Sequence, residues 1–402
     1  MAETLTSTPS TGPHRTPLRV WLSVASLTSA TFAVTAAEML PVGLLTPLSD
    51  SLHVSEGSAG LTVTLTGVVA ALAAPLVPLA AGRLDRRTSL TGLALLLAAA
   101  NALSAVAPSL TVLLIARVLV GIALGGVWAL AAGLPVRLVP QHSRSTALAA
   151  VFGGIGIASV LAVPAGTMLG EVVGWRAAFG AAAALAVAVA LALALLLPAL
   201  PAERPVRPGT LLRLLRNARL RTGFVFLALL VTGHFAAYTY VRPVLEQISG
   251  VAPALIGALL LGYGAAGIVG NFAAGARAAH RPRATLLTLG AGIAVTTVLL
   301  AAAGSATGFA VAVLLLWGLA YGGLSVSAQA WVLAAAPLQR EPAGALFASV
   351  FNAAIALGAF TGGRVVDAAP LRTVLLVGAG LAACALAVLA FARGPAADRA
   401  DG

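Results

Sequence analysis

Glu38, Arg117 and His234 each stand well inside a long apolar stretch, and no other acidic residue or histidine does. A charged side chain in hydrocarbon is costly, so each must face a bundle interior or a water-filled cavity. For Glu38 the chemistry this implies is proton exchange. Desolvation raises a carboxyl pKa and a nearby cation lowers it, so a carboxyl exposed alternately to two sides takes up a proton on one and releases it on the other. The bland alternative is a glutamate that tunes packing near an interface, since Pro41 and the polar pair Ser49-Asp50 follow closely. His234 could carry a proton or contact a ligand, or be a neutral imidazole held by one hydrogen bond. Arg117 keeps its charge and needs a carboxylate, carbonyls or water. It could modulate Glu38, hold an anionic substrate, or snorkel and cap carbonyls.

Helical spacing gathers further candidates around these three. Thr28, Thr31, Thr35 and Glu38 are spaced 3, 4 and 3 and share one helix face. His234 and Tyr238 share another face at i and i+4, and Gly318, Tyr321, Ser325 and Gln329 form a third stripe. With Trp128 and Asn352, these residues would line a mixed aromatic and polar cavity. Each taken singly also fits ordinary helix packing. In FGGIGIASVLAVPAG, Gly153, Gly156, Pro164 and Gly166 fit a pliable gate or plain close packing.

The chain that must position these groups has 402 residues, 60% apolar and 9% charged, against roughly a quarter charged in soluble domains. So few charges cannot cover a soluble surface of this size, which excludes a soluble enzyme, a nucleic-acid-binding domain and a disordered regulator. The formal charge of +12 comes from 24 arginines in short clusters between apolar runs, with no lysine. Without lysine there is no P-loop and no Schiff base to retinal or pyridoxal. Cys384 is the single cysteine, so an intrachain disulfide is excluded and no cofactor or metal is expected.

A spanning helix needs about 20 mostly apolar residues. The sequence predicts an all-α protein with twelve, near 18–40, 58–81, 89–107, 110–134, 145–170, 176–198, 222–244, 253–275, 284–304, 308–332, 343–365 and 371–393. The first run is too long for a signal-peptide core and is taken as an uncleaved helix. With both termini cytoplasmic, 19 of the 24 arginines fall on the cytoplasmic side, which sets the orientation. The organisation expected is an N-terminal tail (1–17), six helices (18–198), a proline-rich linker with an amphipathic basic segment (199–221), six more helices (222–393) and a C-terminal tail (394–402). The expected location is the inner (plasma) membrane, as a monomer, with no nucleic-acid partner.

The second half slides onto the first at an offset of 196 to 199. Gly121, Gly125 and Gly126 fall on Gly318, Gly322 and Gly323, Pro47 on Pro243, Phe152 on Phe351 and Trp128 on Ser325. At 196, Glu38 falls on His234. Two related six-helix halves enclosing a central site is the plan of many secondary transporters. A twofold relation would aim both groups at one cavity from opposite sides.

These residues resemble the major facilitator superfamily, in particular its twelve-helix drug:proton antiporter family and the branch of sugar-efflux and purine-nucleoside-efflux permeases. TAAEMLPVGLLTPLSDSL is similar to that branch's first helix, RVLVGIALGG to the fourth-helix arginine motif, and VPAGTMLGEVVGWRAAF to the fifth-helix antiporter motif with its Trp175, Arg176, Phe179 signature. GRLDRR stands where the family carries its cytoplasmic motif, which implies gating roles for Arg83, Asp85, Arg86 and Arg87. Two departures are visible: Val163 replaces a glycine before Pro164, and Asp85 comes three residues after Gly82 with no second glycine following. The resemblance implies a proton-coupled secondary transporter that exports a small organic molecule (drug, nucleoside or sugar-like), with Glu38 and Arg117 coupling the proton. A pH-independent uniporter or importer is the nearest alternative, and a non-transporting membrane receptor a further one. An intramembrane enzyme is disfavoured, because HExxH, GxSxG and paired membrane aspartates are all missing.

Overall fold

The structure, a computed structural model, describes residues 17–82, 84–131, 134–201, 214, 216–278, 280–336 and 340–391. Arg83, residues 202–213 of the linker and both tails, 1–16 and 392–402, lie outside the described residues. Among those described there is no strand. Twelve helices are long and apolar enough to cross a membrane: Leu18–Gly43, Glu56–Pro78, Arg86–Ala105, Leu110–Ala131, Thr146–Val173, Trp175–Leu196, Ala218–Tyr238, Pro253–Ala278, Pro282–Ala303, Thr307–Val332, Leu346–Ala368 and Arg372–Phe391. They are numbered below as spans 1 to 12. Helix is the form these runs must take, because hydrocarbon offers no partner for an open backbone. Polar caps start several of them: Ser55 for span 2, Asp85 for span 3 and Asn217 for span 7 each accept backbone N–H groups.

Two spans differ from the sequence expectation. Span 7, expected to run to 244, stops at Tyr238, and a short turn and a π-helical segment, Val244–Ile248, follow. Span 10 is interrupted, ending one helix at Gly322 and resuming at Leu324. Hydropathy is blind to the span 10 break, since the residues from Leu319 to Leu324 carry no charge, whereas the span 7 break falls just before Arg242 and Pro243.

The packing repeats. Span 1 lies on 5 and 6, 2 on 4, and 3 on 4 and 6; span 7 lies on 11 and 12, 8 on 10, and 9 on 10 and 12. The two sets meet through span 2 against 11 and span 5 against 8. The glycine register shows why. A Cβ at Gly121 or Gly125 would overlap the carbonyls of Thr66 or Ala70 in span 2. One at Gly318 or Gly322 would overlap those of Tyr263 or Gly267 in span 8, at the same offset of 197. Small residues let these backbones approach closely. Gly322→Val should therefore lower stability by about 1–3 kcal/mol, measured as a lower thermal midpoint in detergent micelles.

The end of the bundle carrying residues 17, 85, 200 and 391 is called the tail end, and the opposite end the far end. At the tail end Arg86 N–H donates to the Leu200 carbonyl and Ser23 Oγ to that of Leu196. At the far end, spans 1 and 7 both break, at Leu44 (φ −111, ψ 9) and Tyr240 (φ −105, ψ 19). These residues are 196 apart, so the backbone itself repeats the offset that pairs Glu38 with His234.

Candidate functional site

Pro41 lies inside the helix of span 1. Proline has no N–H, so the carbonyl four residues back loses its helical donor. That carbonyl belongs to Ala37, and it accepts instead from Arg117 Nη1 at 2.9 Å. Arg117 Nη2 reaches Ser104 Oγ at 2.9 Å and Asn101 Oδ1 at 3.4 Å in span 3, and the guanidinium lies 4.9 Å above the Phe179 ring of span 6. Arg117 is 0% exposed, so it does not snorkel. It ties spans 1, 3, 4 and 6 together through neutral groups, with its Nε left without a partner.

Glu38 is the residue next to the carbonyl that Arg117 holds. It is 3% exposed and its Oε1 is buried without a hydrogen-bond partner. Thr35 Oγ1, one turn back on the same face, is also unpartnered. Thr31 belongs elsewhere: its hydroxyl donates to the Val151 carbonyl of span 5, so it works in helix packing rather than lining a cavity. The polar stripe of span 1 therefore divides between packing at Thr31 and unpaired groups at Thr35 and Glu38.

Opposite stands a column of aromatic rings. Tyr321 stacks on His234 with centroids 3.6 Å apart, His234 on Tyr238 at 5.1 Å, and Tyr238 on Tyr263 at 4.9 Å. Trp317 meets His234, Tyr238 and Tyr263 edge-on, and Phe235 meets His234 and Tyr238 similarly. Met39 and Val42, in the same span as Glu38, share one packed core with Phe235, Tyr238, Tyr263 and Trp317, and Tyr321 packs against it, so the column adjoins span 1. Both ring nitrogens of His234, Tyr263 Oη and Trp317 Nε1 are buried without partners. The structural alternative for His234, one satisfying hydrogen bond, is thus not what is found. Unpaired buried donors and acceptors in apolar surroundings cost about 1–3 kcal/mol each, and a bound polar molecule would relieve that cost.

The other sequence candidates divide. Trp128 is half-buried with Nε1 unpartnered, and Ser325 and Gln329 are half-buried on the resumed part of span 10. Asn352 donates to its own helix at the Ala348 carbonyl and stands where span 11 packs on Gly67 of span 2. In span 5, a Cβ at Gly153 or Gly156 would meet open space, whereas one at Gly166 would press on Leu40, and Pro164 is buried. The four are therefore not one packing surface. Asp85 caps its own helix, accepting from the N–H groups of Arg87 and Thr88. Arg86 is 8% exposed and Arg87 is exposed.

Sequence reasoning missed Tyr263, Trp317 and Phe179. Trp317 was visible as the residue one turn before Tyr321. Phe179 lay within the quoted Trp175, Arg176, Phe179 signature, but only the fold places it under Arg117. Tyr263 carries no local signal and is reached through its repeat mate Thr66, whose carbonyl receives Gly121. A second omission is the far end, where the halves are joined by Arg242, Glu171 and Glu246 and by Asp367, which accepts from the Gly57 N–H at 3.1 Å. The signal there was Arg242 itself, one of four arginines on the side with few.

A sequence profile described as Major Facilitator Superfamily matches residues 27–343. Among curated relatives, the purine ribonucleoside efflux pump NepI of Escherichia coli (strain K12) is 33% identical over 89% of this chain and 90% of its own. The transcription regulatory protein OpdE of Pseudomonas aeruginosa is 35% identical over 86% of this chain and 87% of its own. Among solved structures, a D-xylose-proton symporter aligns with a TM-score of 0.77 at 15% identity, covering 94% of this chain and 99% of that one. A bacterial homologue of the human lysosomal transporter Spinster aligns at 0.74 and 15% identity, covering 93% and 96%.

Proposed function

Because this chain belongs to the major facilitator superfamily, we propose that it is a proton-coupled exporter of a small planar organic molecule, working by alternating access. The observation that carries this reading is the Glu38 carboxyl, buried with its Oε1 unpartnered, on a span whose Met39 and Val42 pack in one core with the aromatic column. A proton is the ligand such a group can take without leaving a charge in a dry site. Substrate binds between the 18–198 and 222–393 halves, stacked against the rings of Tyr321 and its neighbours. The relation to NepI makes a purine nucleoside the first substrate to try, and its base offers the flat face and mixed donors and acceptors that the column lacks partners for. The tail end is cytoplasmic in the inner membrane, the protein is a monomer, and the open space at Gly153 and Gly156 belongs to the path from that side.

The driving force is adequate. A proton contributes about 2.3 kcal/mol per 100 mV and about 1.4 kcal/mol per pH unit. The test is transport into inside-out vesicles with labelled inosine or adenosine, a sugar and a hydrophobic amine, each with and without a pH gradient. Uptake of the nucleoside that collapses with the gradient supports the proposal. Uptake indifferent to pH favours a uniporter with Glu38 as a substrate ligand. A regulatory protein of the kind named by OpdE would show neither.

Tyr321→Leu removes the ring closest to His234. Base stacking on an aromatic side chain contributes about 1–3 kcal/mol. The half-saturation concentration for a nucleoside should rise about tenfold with the maximal rate less affected, read from initial rates over a substrate series.

A further inference from the structure

The segments that follow the two helix breaks, 45–52 and 241–248, meet at the far end, and their residues pair by the repeat. Thr46 and Arg242 are mates at 196, and both bond one carboxylate: Thr46 Oγ1 donates to Glu246 Oε2 at 2.8 Å and Arg242 Nε to Oε1 at 2.9 Å. Where the first half offers a hydroxyl, the second offers a guanidinium. Arg242 then reaches across with its remaining nitrogens. Nη1 donates to the Gly43 carbonyl at 2.9 Å, and Nη2 pairs with Glu171 of span 5. The Gly43 carbonyl also accepts from Thr167, one turn before Glu171. Spans 1 and 5 thus converge on one arginine that is 3% exposed.

We propose that Arg242 is the lock of the far gate, the residue whose bonds to Glu171 and Gly43 must break before the central site opens to that side. It rests on the alternating-access reading, though not on proton coupling or on any substrate. The other bonds across this end are weaker holders: Asp367 takes the part-buried Gly57 N–H by a single hydrogen bond, with no ion pair among the described residues. Gln247 to Glu56 and Ser55 to Asp367 are exposed, and exposed polar pairs contribute little. A buried guanidinium is different, because its removal takes the charged partner from Glu246, whose side chain is 14% exposed, and unties Gly43 of span 1 and Glu171 of span 5 at once. The lock is also tied to the working groups: Gly43 ends the helix that carries Glu38, and Arg242 lies just beyond the helix that carries His234. Any shift of span 1 is therefore felt at the Gly43 carbonyl. Arg242 sets the rate of far-side opening and leaves substrate affinity in the closed state alone.

The test reads geometry, so failure of the transport reading and failure of the lock are separate results. Spin labels go on Ser109 and Ser305, exposed repeat mates in far-end loops, in a Cys384→Ser background reconstituted in nanodiscs. Pulsed dipolar spectroscopy then measures the distance between halves. The closed distance should dominate in the parent, and in Arg242→Ala the ratio of longer to closed distances should rise on the order of a hundredfold. Glu171→Gln, which keeps shape and folding, should shift the ratio in the same direction, and Arg242→Lys, which keeps a cation among Glu171, Glu246 and the Gly43 carbonyl but loses the fork, should shift it less than Arg242→Ala. An unchanged distribution in both Arg242→Ala and Glu171→Gln overturns the proposal. So does an Arg242→Lys variant as open as Arg242→Ala. If Arg242→Ala does not fold, Glu171→Gln and Arg242→Lys decide.

Discussion

Glu38→Gln should leave substrate exchange across the membrane intact while abolishing uphill transport. Glutamine matches the volume and can occupy the same buried place on span 1, so binding and the rocking of the halves persist. What it cannot do is take a proton. With a pH gradient of about one unit and no potential, a one-proton antiporter can sustain a substrate ratio of about tenfold. The variant should sustain none, so its ratio falls to unity. Two assays on one vesicle preparation check this: counterflow of labelled against unlabelled substrate, and net accumulation under the gradient. Loss of both would make Glu38 a binding or folding residue. Retention of both would remove it from coupling altogether.

Arg117 carries the second large effect, and here the expectation is structural first. Its guanidinium satisfies the Ala37 carbonyl that Pro41 leaves free, together with Ser104 and Asn101. Arg117→Leu strands those acceptors in an apolar bundle at about 1–3 kcal/mol each. The sum is several kcal/mol, enough to lower the yield of folded protein in detergent sharply. Arg117→Lys keeps the charge but loses the planar fork that serves two spans at once. It should fold with a modestly lower melting midpoint and transport with a changed pH profile, because the tie that fixes the Ala37 carbonyl next to Glu38 is loosened. A lysine variant with unchanged pH dependence would confine Arg117 to holding helices together. Pro41→Ala is the companion: it restores a donor to Ala37 and should partly release Arg117 from span 1.

Much of this architecture is legible before any coordinates, for reasons particular to membrane chains. A span of apolar residues has one available secondary structure, so runs such as 110–134 and 371–393 announce helices. The offset of 196 to 197 was legible too, and it returned in contacts no composition predicts: Gly121 on Thr66 and Gly318 on Tyr263, Leu44 breaking where Tyr240 breaks. Glu38 and Arg117 were found because charge in an apolar run is conspicuous. What stayed hidden depends on direction within a helix. Thr31 and Thr35 share a face by spacing, yet one turns its hydroxyl to span 5 and the other has no partner. Tyr263 and Trp317 join the aromatic column because spans 8 and 10 cross at their glycines, a three-dimensional fact. Pro41 stood in view as a helix-breaking residue; that it frees a carbonyl for Arg117 appears only when spans 1 and 4 are placed side by side.

The central claim is that substrate and proton move in opposite directions through one site containing Glu38. Purified protein in liposomes, loaded with a pH-sensitive dye under an imposed gradient, tests it most directly when purine nucleosides, sugars and amines are added singly. The account predicts that one of these compounds discharges the gradient in the parent protein and fails to do so in Glu38→Gln. Substrate crossing the bilayer at an undiminished rate while the dye signal stays flat would contradict it.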